Sequence, residues 1–365
     1  MKKLLINIGQ EAVVGVIYET AGKSKSLRRV MEIPCTDYYN NSGRLDIVRI
    51  VTAIKKILPR EARTLDIDLI LPTYVTDVSY VDAIDDQYDK EEKKTVAHSR
   101  AEKTVFIGES QTKKINQNIS FNSKELNTII SAFHREKLSV VRAISNASCY
   151  HNFMSLYNHS EMYGSMDFKT HICMMWGLSK VSYIYMLGNL PVELRNSDYS
   201  LTEVYKDLVA SGCELPLYQV LKIMNNCHIS TDPESGLVLE HESNIITEGS
   251  RAIELSDTVI AMVKNAFYSY ITNMVSEVRG IYDHVRNKFS TSNVYICTNS
   301  RLLDECLCKA YSDTFPIEYL NVKEKFEIYN DKITLKSIPE INEKYVPIIG
   351  CAIEGIKKGS DFYDA

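Results

Sequence analysis

The side chains able to carry chemistry are spread thinly along this chain. His134, His151, His159, His171, His228, His241 and His284 include no pair four residues apart around a glutamate, the spacing with which a helix grips a hydrolytic zinc ion. His98 falls in a charged run and is expected to be solvated. Nine cysteines (Cys35, Cys149, Cys173, Cys213, Cys227, Cys297, Cys306, Cys308 and Cys351) form no CxxC unit, so neither a zinc site nor a disulfide framework is signalled. Cys306 and Cys308 lie two apart on an expected helix, hence on different faces. There is no GxSxG elbow and no Walker glycine-lysine loop. Catalysis therefore has no candidate residue. What remains are two stretches, "INIGQEAVVGVIYE" (6–19) and "HICMMWGLSKVSYIYMLGNL" (171–190), in each of which a glycine, Gly9 or Gly177, stands between two runs of β-formers. A tight turn is the favoured reading of both glycines, with contact to a phosphate as the other.

The two stretches overlay with Gly9 on Gly177. Ile6, Asn7 and Ile8 then fall on Met174, Met175 and Trp176, and Val13, Val16 and Ile17 on Val181, Ile184 and Tyr185. Each reads as strand, glycine turn, strand, so one unit is expected twice; chance alignment of two hairpins is the competing reading, because a dozen residues is a short repeat. Trp176, the single tryptophan, reads as a packed residue rather than a ligand platform.

Around these hairpins the grammar is α/β. "RLDIVRIVTAIKKIL" puts Leu45, Val48, Val51, Ile54 and Leu58 on one helical face, and "TLDIDLILP" follows as a buried strand. The acidic and lysine-rich "DAIDDQYDKEEKKTVAHSRAEK" reads as a solvated helix face in a small insert, between short strands near 74–80 and 104–107. "NSKELNTIISAFHREKL" is a helix capped by Asn122 or Ser123, with Leu126, Ile129, Ile130 and Phe133 apolar; "SVVRAIS" is a strand. In the second half, residues 256–289 keep a helical period through Val259, Val263, Phe267, Tyr270, Ile271, Met274, Val278 and Ile281. "NVYICTNS" is a strand running into a turn, and "YVPIIGCAIEGI" a final buried segment.

With 365 residues, 45% hydrophobic and 24% charged, the chain is long enough for two or three domains of ordinary globular composition. A formal net charge of −5 argues against a dedicated nucleic-acid binder. No apolar run reaches membrane-spanning length, and "MKKLLINIG" lacks the apolar region and cleavage site of a secretory signal, so a cytoplasmic protein is expected.

The order of hairpin, helix, strand, insert, helix, strand, second hairpin, long helix, strand and closing segment resembles the actin-like ATPase superfamily, and within it the FtsA/PilM branch, whose PilM members assemble type IV pili. The resemblance implies an actin-like (ASKHA) fold: two duplicated ribonuclease H-like α/β subdomains flanking a cleft, with an inserted small subdomain of the FtsA/PilM type. It divides the chain into 1–73 and 121–165 for the first subdomain, 74–120 for the insert, and 166–365 for the second subdomain. In this superfamily each phosphate loop carries Asp, Gly and a hydroxyl, and paired glycines admit the adenine. Here the first loop reads Asn7, Ile8, Gly9, Gln10; the second reads Met175, Trp176, Gly177, Leu178, with Ser179 beyond; the adenosine motif reads Thr298, Asn299, Ser300. The resemblance thus places a vestigial nucleotide cleft at Asn7, Gly9, Gln10, Gly177, Ser179, Asn299 and Ser300, with no metal site and no cofactor expected.

It further implies a cytoplasmic adaptor of a type IV pilus-like machine, held at the inner face of the membrane by the cytoplasmic tail of a single-span, PilN-like inner-membrane protein. That tail would lie in a groove between the first subdomain and the insert, between residues 69 and 117. Contact with the pilus motor or platform and homo-oligomerisation stay open. "KKGSDFYDA" follows the last core segment and leaves no room for an amphipathic membrane helix, so direct membrane insertion is not expected. The alternative is a working ATPase that holds Mg-ATP through Asn7, Gly9, Gly177 and backbone groups. A sugar or acetate kinase on the same fold would need a positioned carboxylate base, which is missing.

Overall fold

The computed structural model describes residues 1–9, 11–22, 24–39, 45–82, 96–106, 112–150, 152–153, 170–176, 180–187, 190–197, 199–225, 227–232, 236–241, 244–248, 251–289, 294–298, 301–311, 314, 316–319, 333–338, 343–354 and 362–364. β1 (Lys2–Ile8) and β2 (Ala12–Ala21) form an antiparallel hairpin in which Ile8 faces Val13 and Asn7 faces Val14. β3 (Ser24–Pro34) extends the meander. Helix α1 (Ile47–Ile57) then carries the chain across to β4 (Ile67–Leu71), which runs parallel to β1. Asp46 caps α1 by accepting from the Arg49 N–H, and Lys55 and Lys56 sit in its last turn, where the helix dipole favours cations. The buried stripe of α1 is Ile47, Ile50, Val51 and Ile54. Val48, expected on that face, is 52% exposed, because the stripe starts at Ile47 and position 48 is turned about 100° away from it.

The insert is a three-stranded antiparallel sheet of β5 (Thr76–Asp82), β6 (Val96–Phe106) and β7 (Thr112–Asn122), in the order β5-β7-β6. The part of the charged run from residue 96 onward is therefore strand, not helix; residues 83–95 lie outside the described ones. Pairing with β7 along the whole of β6 outweighs the weak local preference of its polar residues. Asn122 then caps α2 (Ser123–Arg135), accepting from the Glu125 N–H at 3.2 Å, with Leu126, Ile129 and Phe133 buried. β8 (Val140–Ser145) returns parallel to β4.

The second half repeats this plan. β9 (Thr170–Trp176) and β10 (Val181–Leu187) pair with Trp176 opposite Val181 and Met175 opposite Ser182, the register of the first hairpin, with four residues between the innermost paired positions in each. β11 (Leu190–Asn196) follows antiparallel. Next come α3 (Leu201–Ala210), α4 (Leu217–Asn225), the hairpins β12 (Cys227–Asp232) with β13 (Gly236–His241) and β14 (Ile245–Glu248) with β15 (Arg251–Glu254), and α5 (Asp257–Phe289). α5 has 33 residues and so runs about 50 Å; along it Val263, Phe267, Ile271, Met274 and Val278 are buried. β16 (Val294–Thr298) lies parallel to β9, α6 (Arg301–Tyr311) follows, and β17 (Ile317–Tyr319) lies parallel to β16. The order β11-β10-β9-β16-β17 thus reproduces β3-β2-β1-β4-β8 strand for strand, with the same directions.

After β17 the chain rejoins the first sheet. β18 (Ile333–Lys336) pairs with β3, α7 (Val346–Glu354) packs on β1, and β19 (Phe362–Asp364) pairs with β8, giving the seven-stranded order β18-β3-β2-β1-β4-β8-β19. The second subdomain therefore does not extend to residue 365, as read from the sequence. Short apolar strands look alike whichever sheet they join, so the return has no local signature. Alternation along β9 and β10 divides the second sheet: Ile172, Met174, Val181, Tyr183 and Tyr185 pack with the helices α3 to α6, while Cys173, Met175, Ile184 and Met186 belong to the apolar core of the first half.

Candidate functional site

The parallel strands β1, β4 and β8 end at one edge of the first sheet, where an α/β sheet commonly takes a ligand. Asn7 stands at that edge on β1 and is 2% exposed. Its Nδ2 donates to the Lys344 carbonyl at 3.3 Å, and its Oδ1 is buried with no hydrogen-bond partner. Gly9 follows in the turn. Its N–H, the group a phosphate loop would turn toward an anion, donates to the Ala12 carbonyl at 3.2 Å, and its own carbonyl accepts from the Cys35 thiol at 3.5 Å. A Cβ on Gly9 would stand 2.7 Å from the Ala12 oxygen, so the turn itself demands glycine. Burial, with Glu11 adding to it, pushes the Cys35 thiol up to about 12, which keeps it a neutral donor.

The carbonyl facing Asn7 belongs to a segment fastened at both ends. Lys344 Nζ pairs with Glu32 Oε1 at 2.5 Å, the Tyr345 hydroxyl donates to Glu32 Oε2 at 3.3 Å, and Arg29 Nη1 donates to the same oxygen at 3.0 Å. Burial raises the Glu32 carboxyl, but hydrogen bonds and attraction from Lys344 and Arg29 outweigh it and hold the group below its ordinary value. At the far end Lys25 Nζ donates to the Ala352 carbonyl at 2.7 Å, satisfying one of the open acceptors of α7. Between these anchors Gly350 lies so close to the chain after β8 that a Cβ would stand 1.9 Å from the Cys149 oxygen.

In the second half Met175 takes the place of Asn7 and is 7% exposed. Thr298, at the end of β16, is fully buried. Gln10, Gly177, Ser179, Asn299 and Ser300 lie outside the described residues, so of the seven positions expected in the cleft only Asn7 and Gly9 have a described geometry. The two halves are pinned by a buried polar chain that the sequence reading missed: Thr73 Oγ1 meets Ser182 Oγ at 2.7 Å, and Ser182 donates to Asn196 Oδ1 at 2.7 Å. Ser182 interrupting the apolar strand "VSYIYML" was the available signal.

A magnesium-nucleotide site fits this edge poorly. Mg²⁺ takes hard oxygen ligands in octahedral array, commonly carboxylates and water, whereas the described positions offer one amide oxygen and a thioether. No group of three or more His, Cys, Asp or Glu residues suited to a metal occurs among the described residues.

Two α/β units of one topology, with an insert after the first parallel strand, define the actin-like ATPase fold. Within that class, a solved structure described as a "PilM-PilN type IV pilus biogenesis complex" aligns over 98% of this chain and 99% of its own, with 13% identity and a TM-score of 0.62. The ethanolamine utilization protein EutJ from Carboxydothermus hydrogenoformans aligns over 97% of this chain and 90% of its own (10% identity, TM-score 0.39). MreB 5 of Spiroplasma citri bound to AMPPNP aligns over 90% and 96% (10% identity, TM-score 0.44). No family model matches the chain, and no curated protein matches it.

Proposed function

We propose that this chain is an actin-like adaptor of a type IV pilus-like machine, which grips the cytoplasmic tail of a single-span, PilN-like inner-membrane protein and does not turn over nucleotide. The observation that carries it is the alignment with the PilM-PilN structure along nearly the whole of both chains, insert included. At the cleft the reading is supported by an amide and a thioether where the resemblance calls for two carboxylates, and by a Gly9 turn whose N–H is spent internally. Among the described residues no helix is long and apolar enough to cross a membrane, so attachment at the inner face would run through the partner.

One observation favours the ATPase alternative. Asn7 Oδ1 is a buried acceptor without a partner, the kind of atom that a cation or its water shell would satisfy. Calorimetry with Mg-ATP, beside a thermal melt, separates the two readings. The adaptor reading expects no heat and no shift at millimolar nucleotide. Binding tighter than about 10 μM, with the stabilisation that mass action then requires, would overturn the nucleotide-free part of the proposal. Asn7→Asp sharpens the test: it replaces the donor facing the Lys344 carbonyl with a carboxylate and is expected to cost about 1–3 kcal/mol. Recovery of that loss in Mg²⁺ would mean that the position still reaches a metal. For the partner, failure of the protein, expressed at native level, to copurify with any membrane component would undo the adaptor reading.

A further inference from the structure

β1, β3, β4 and β8 all start at the end of the first sheet opposite Asn7, and α1 and α2 run their C-terminal ends into that same pole. The two helix ends are neighbours, because Thr52 Oγ1 donates to Glu136 Oε1 at 2.9 Å. Five cations gather there: Lys55 and Lys56 in the last turn of α1, Arg60 beyond it, and Arg135 and Lys137 on either side of Glu136. Lys55 is half-buried and the other four are exposed. Among the described residues none of the five forms an ion pair, whereas Arg28 nearby is paired with Glu61 at 2.6 Å. Arg63 is spent on the Leu58 and Lys56 carbonyls, at 2.7 and 3.0 Å. Helix dipoles account for part of this charge. Two C-terminal ends amount to roughly one negative charge together, and Arg63 already sits on one of them. Five further cations exceed that demand, even with Asp66 and Glu136 beside them, in a chain whose net charge is −5. Lys137, moreover, holds its place against its backbone. Its N–H donates to the His134 carbonyl at 2.9 Å and that of Leu138 to Phe133 at 3.0 Å, a Schellman ending in which Lys137, at φ +58°, fills the position that favours glycine. Exposed apolar side chains share the pole: Ile57, among Lys55, Lys56 and Arg60, is 51% exposed, and Met1, at the start of β1, is 66% exposed. The exposed aromatic rings on which nucleic-acid bases could stack, Tyr199 and Tyr268, belong to the second half.

From this juxtaposition we propose that the pole formed by the C-terminal ends of α1 and α2 is a contact surface for the anionic phospholipid headgroups of a bilayer. The five cations meet the phosphate charge, and Ile57 reaches the boundary between headgroups and acyl chains. A leaflet rich in acidic lipid attracts each lysine or arginine at its surface, and an apolar side chain ringed by cations suits an interface that is charged outside and apolar beneath. The contact is peripheral, with no segment inserted across the bilayer. It goes beyond the adaptor reading, in which attachment runs through a partner, and does not rest on it.

The test is cosedimentation of the full chain, with no other protein present, on vesicles of phosphatidylcholine containing about one-third phosphatidylglycerol, against vesicles of phosphatidylcholine alone. Binding is expected on the acidic vesicles only. It should disappear as salt is raised from about 0.1 to about 1 M, which shortens the screening length from about 10 to about 3 Å. Each cation removed should weaken it about fivefold, so the double variant Lys56→Gln, Arg60→Gln should lose about 25-fold. Ile57→Ser, at constant charge, should lose about threefold. Lys137→Gly separates a binding role from a structural one: relieving the left-handed backbone should raise the melting temperature, while vesicle binding falls about fivefold. Equal binding to both kinds of vesicle, or none to either, would overturn the proposal. So would a Lys137→Gly protein that gains stability with its vesicle binding unchanged, since the cation would then be a helix cap and nothing more. Tighter binding to a labelled DNA duplex than to the acidic vesicles, with Ile57→Ser without effect, would overturn it in favour of a nucleic acid. Vesicle binding that follows the expected pattern, in a protein that copurifies with no membrane protein, would sink the adaptor reading and leave this one standing.

Discussion

Asn7 and Met175 stand at one place in two copies of a five-strand unit, and the register extends the correspondence across the sheets. Leu5 matches Cys173, and Asp68, opposite Leu5, matches Cys297, opposite Cys173. On this shared face the first half carries a row of charge, with Lys3 Nζ 3.1 Å from both Asp68 oxygens and Arg142 bound to the same carboxylate. The second half carries two buried thiols opposite each other, Cys173 and Cys297. The frame is held by ladder hydrogen bonds and by apolar residues alternating in β9 and β10, which fix register without regard to the side chains between them. What stands on the shared face is thus free to differ, and here an amide and a charge row in one copy correspond to a thioether and two thiols in the other.

Removing the charge row should have the largest effect. Asp68 is 1% exposed, and Asp68→Ala leaves Lys3 and Arg142 half-buried without their anion, a loss expected at about 3–5 kcal/mol in denaturant unfolding. If the cost stays below about 1 kcal/mol, the row is ornamental and the halves do not differ energetically there. Gly350→Ala comes next. The new methyl would meet the Cys149 carbonyl unless α7 moves off the sheet, so about 2–3 kcal/mol is expected, with near-native stability as the result against it.

The duplication was legible because it is written in local pattern. A single glycine between β-branched runs marks each hairpin, and the overlay of Ile8 on Trp176 and Val13 on Val181 is the register found. The cap at Asn122 and the period of α5 were legible for the same reason. What was not legible depends on distance along the chain. Glu32 and Lys344 meet across 312 positions, and neither residue type nor spacing marks them as partners. The stretch of β6 from Val96 to Lys103 reads as helix from sequence because its strand character comes from β7 rather than from its own residues, whereas a strand near 104–107 is expected. At the cleft, the departures at Asn7 and Met175 could be read from residue types alone, whereas the spent N–H of Gly9 needed coordinates.

A smaller effect is expected at the fastening of the first half. Glu32→Gln keeps an acceptor for Lys344 but removes the charge, for about 1–2 kcal/mol. The pH dependence gives the sign. The Glu32 carboxyl is held below its ordinary value in the folded chain, so its contribution is present above the unfolded value and is lost as pH falls through the folded one. The parent should therefore lose stability in acid below about pH 4.5 more steeply than Glu32→Gln. Parallel acid limbs would show that Lys344 and Arg29 contribute nothing through charge.

The finest comparison is between the two thiol pairs. Burial, with the neighbouring Cys351 thiol, raises Cys149; the neighbouring Cys297 thiol, with burial, raises Cys173, so neither Cys149 nor Cys173 offers a thiolate near neutrality. Their settings nonetheless differ. Cys173 and Cys297 sit opposite each other within one sheet, and exposing them requires that sheet to come apart. Cys149 and Cys351 join the first sheet to α7, which is held by Glu32, Lys25 and the close contact at Gly350, and it can lift while the sheet survives. Iodoacetamide at pH 8 should therefore modify the half-buried Cys308 first, Cys149 and Cys351 next, and Cys173 with Cys297 only at the rate of global unfolding. A difference of about 1.4 kcal/mol between lifting α7 and unfolding the sheet would separate the two pairs by about tenfold. Coincident rates would mean that the closing helix and the sheet beneath it open as one unit, and that the two halves, for all their divergence in chemistry, share a single cooperative core.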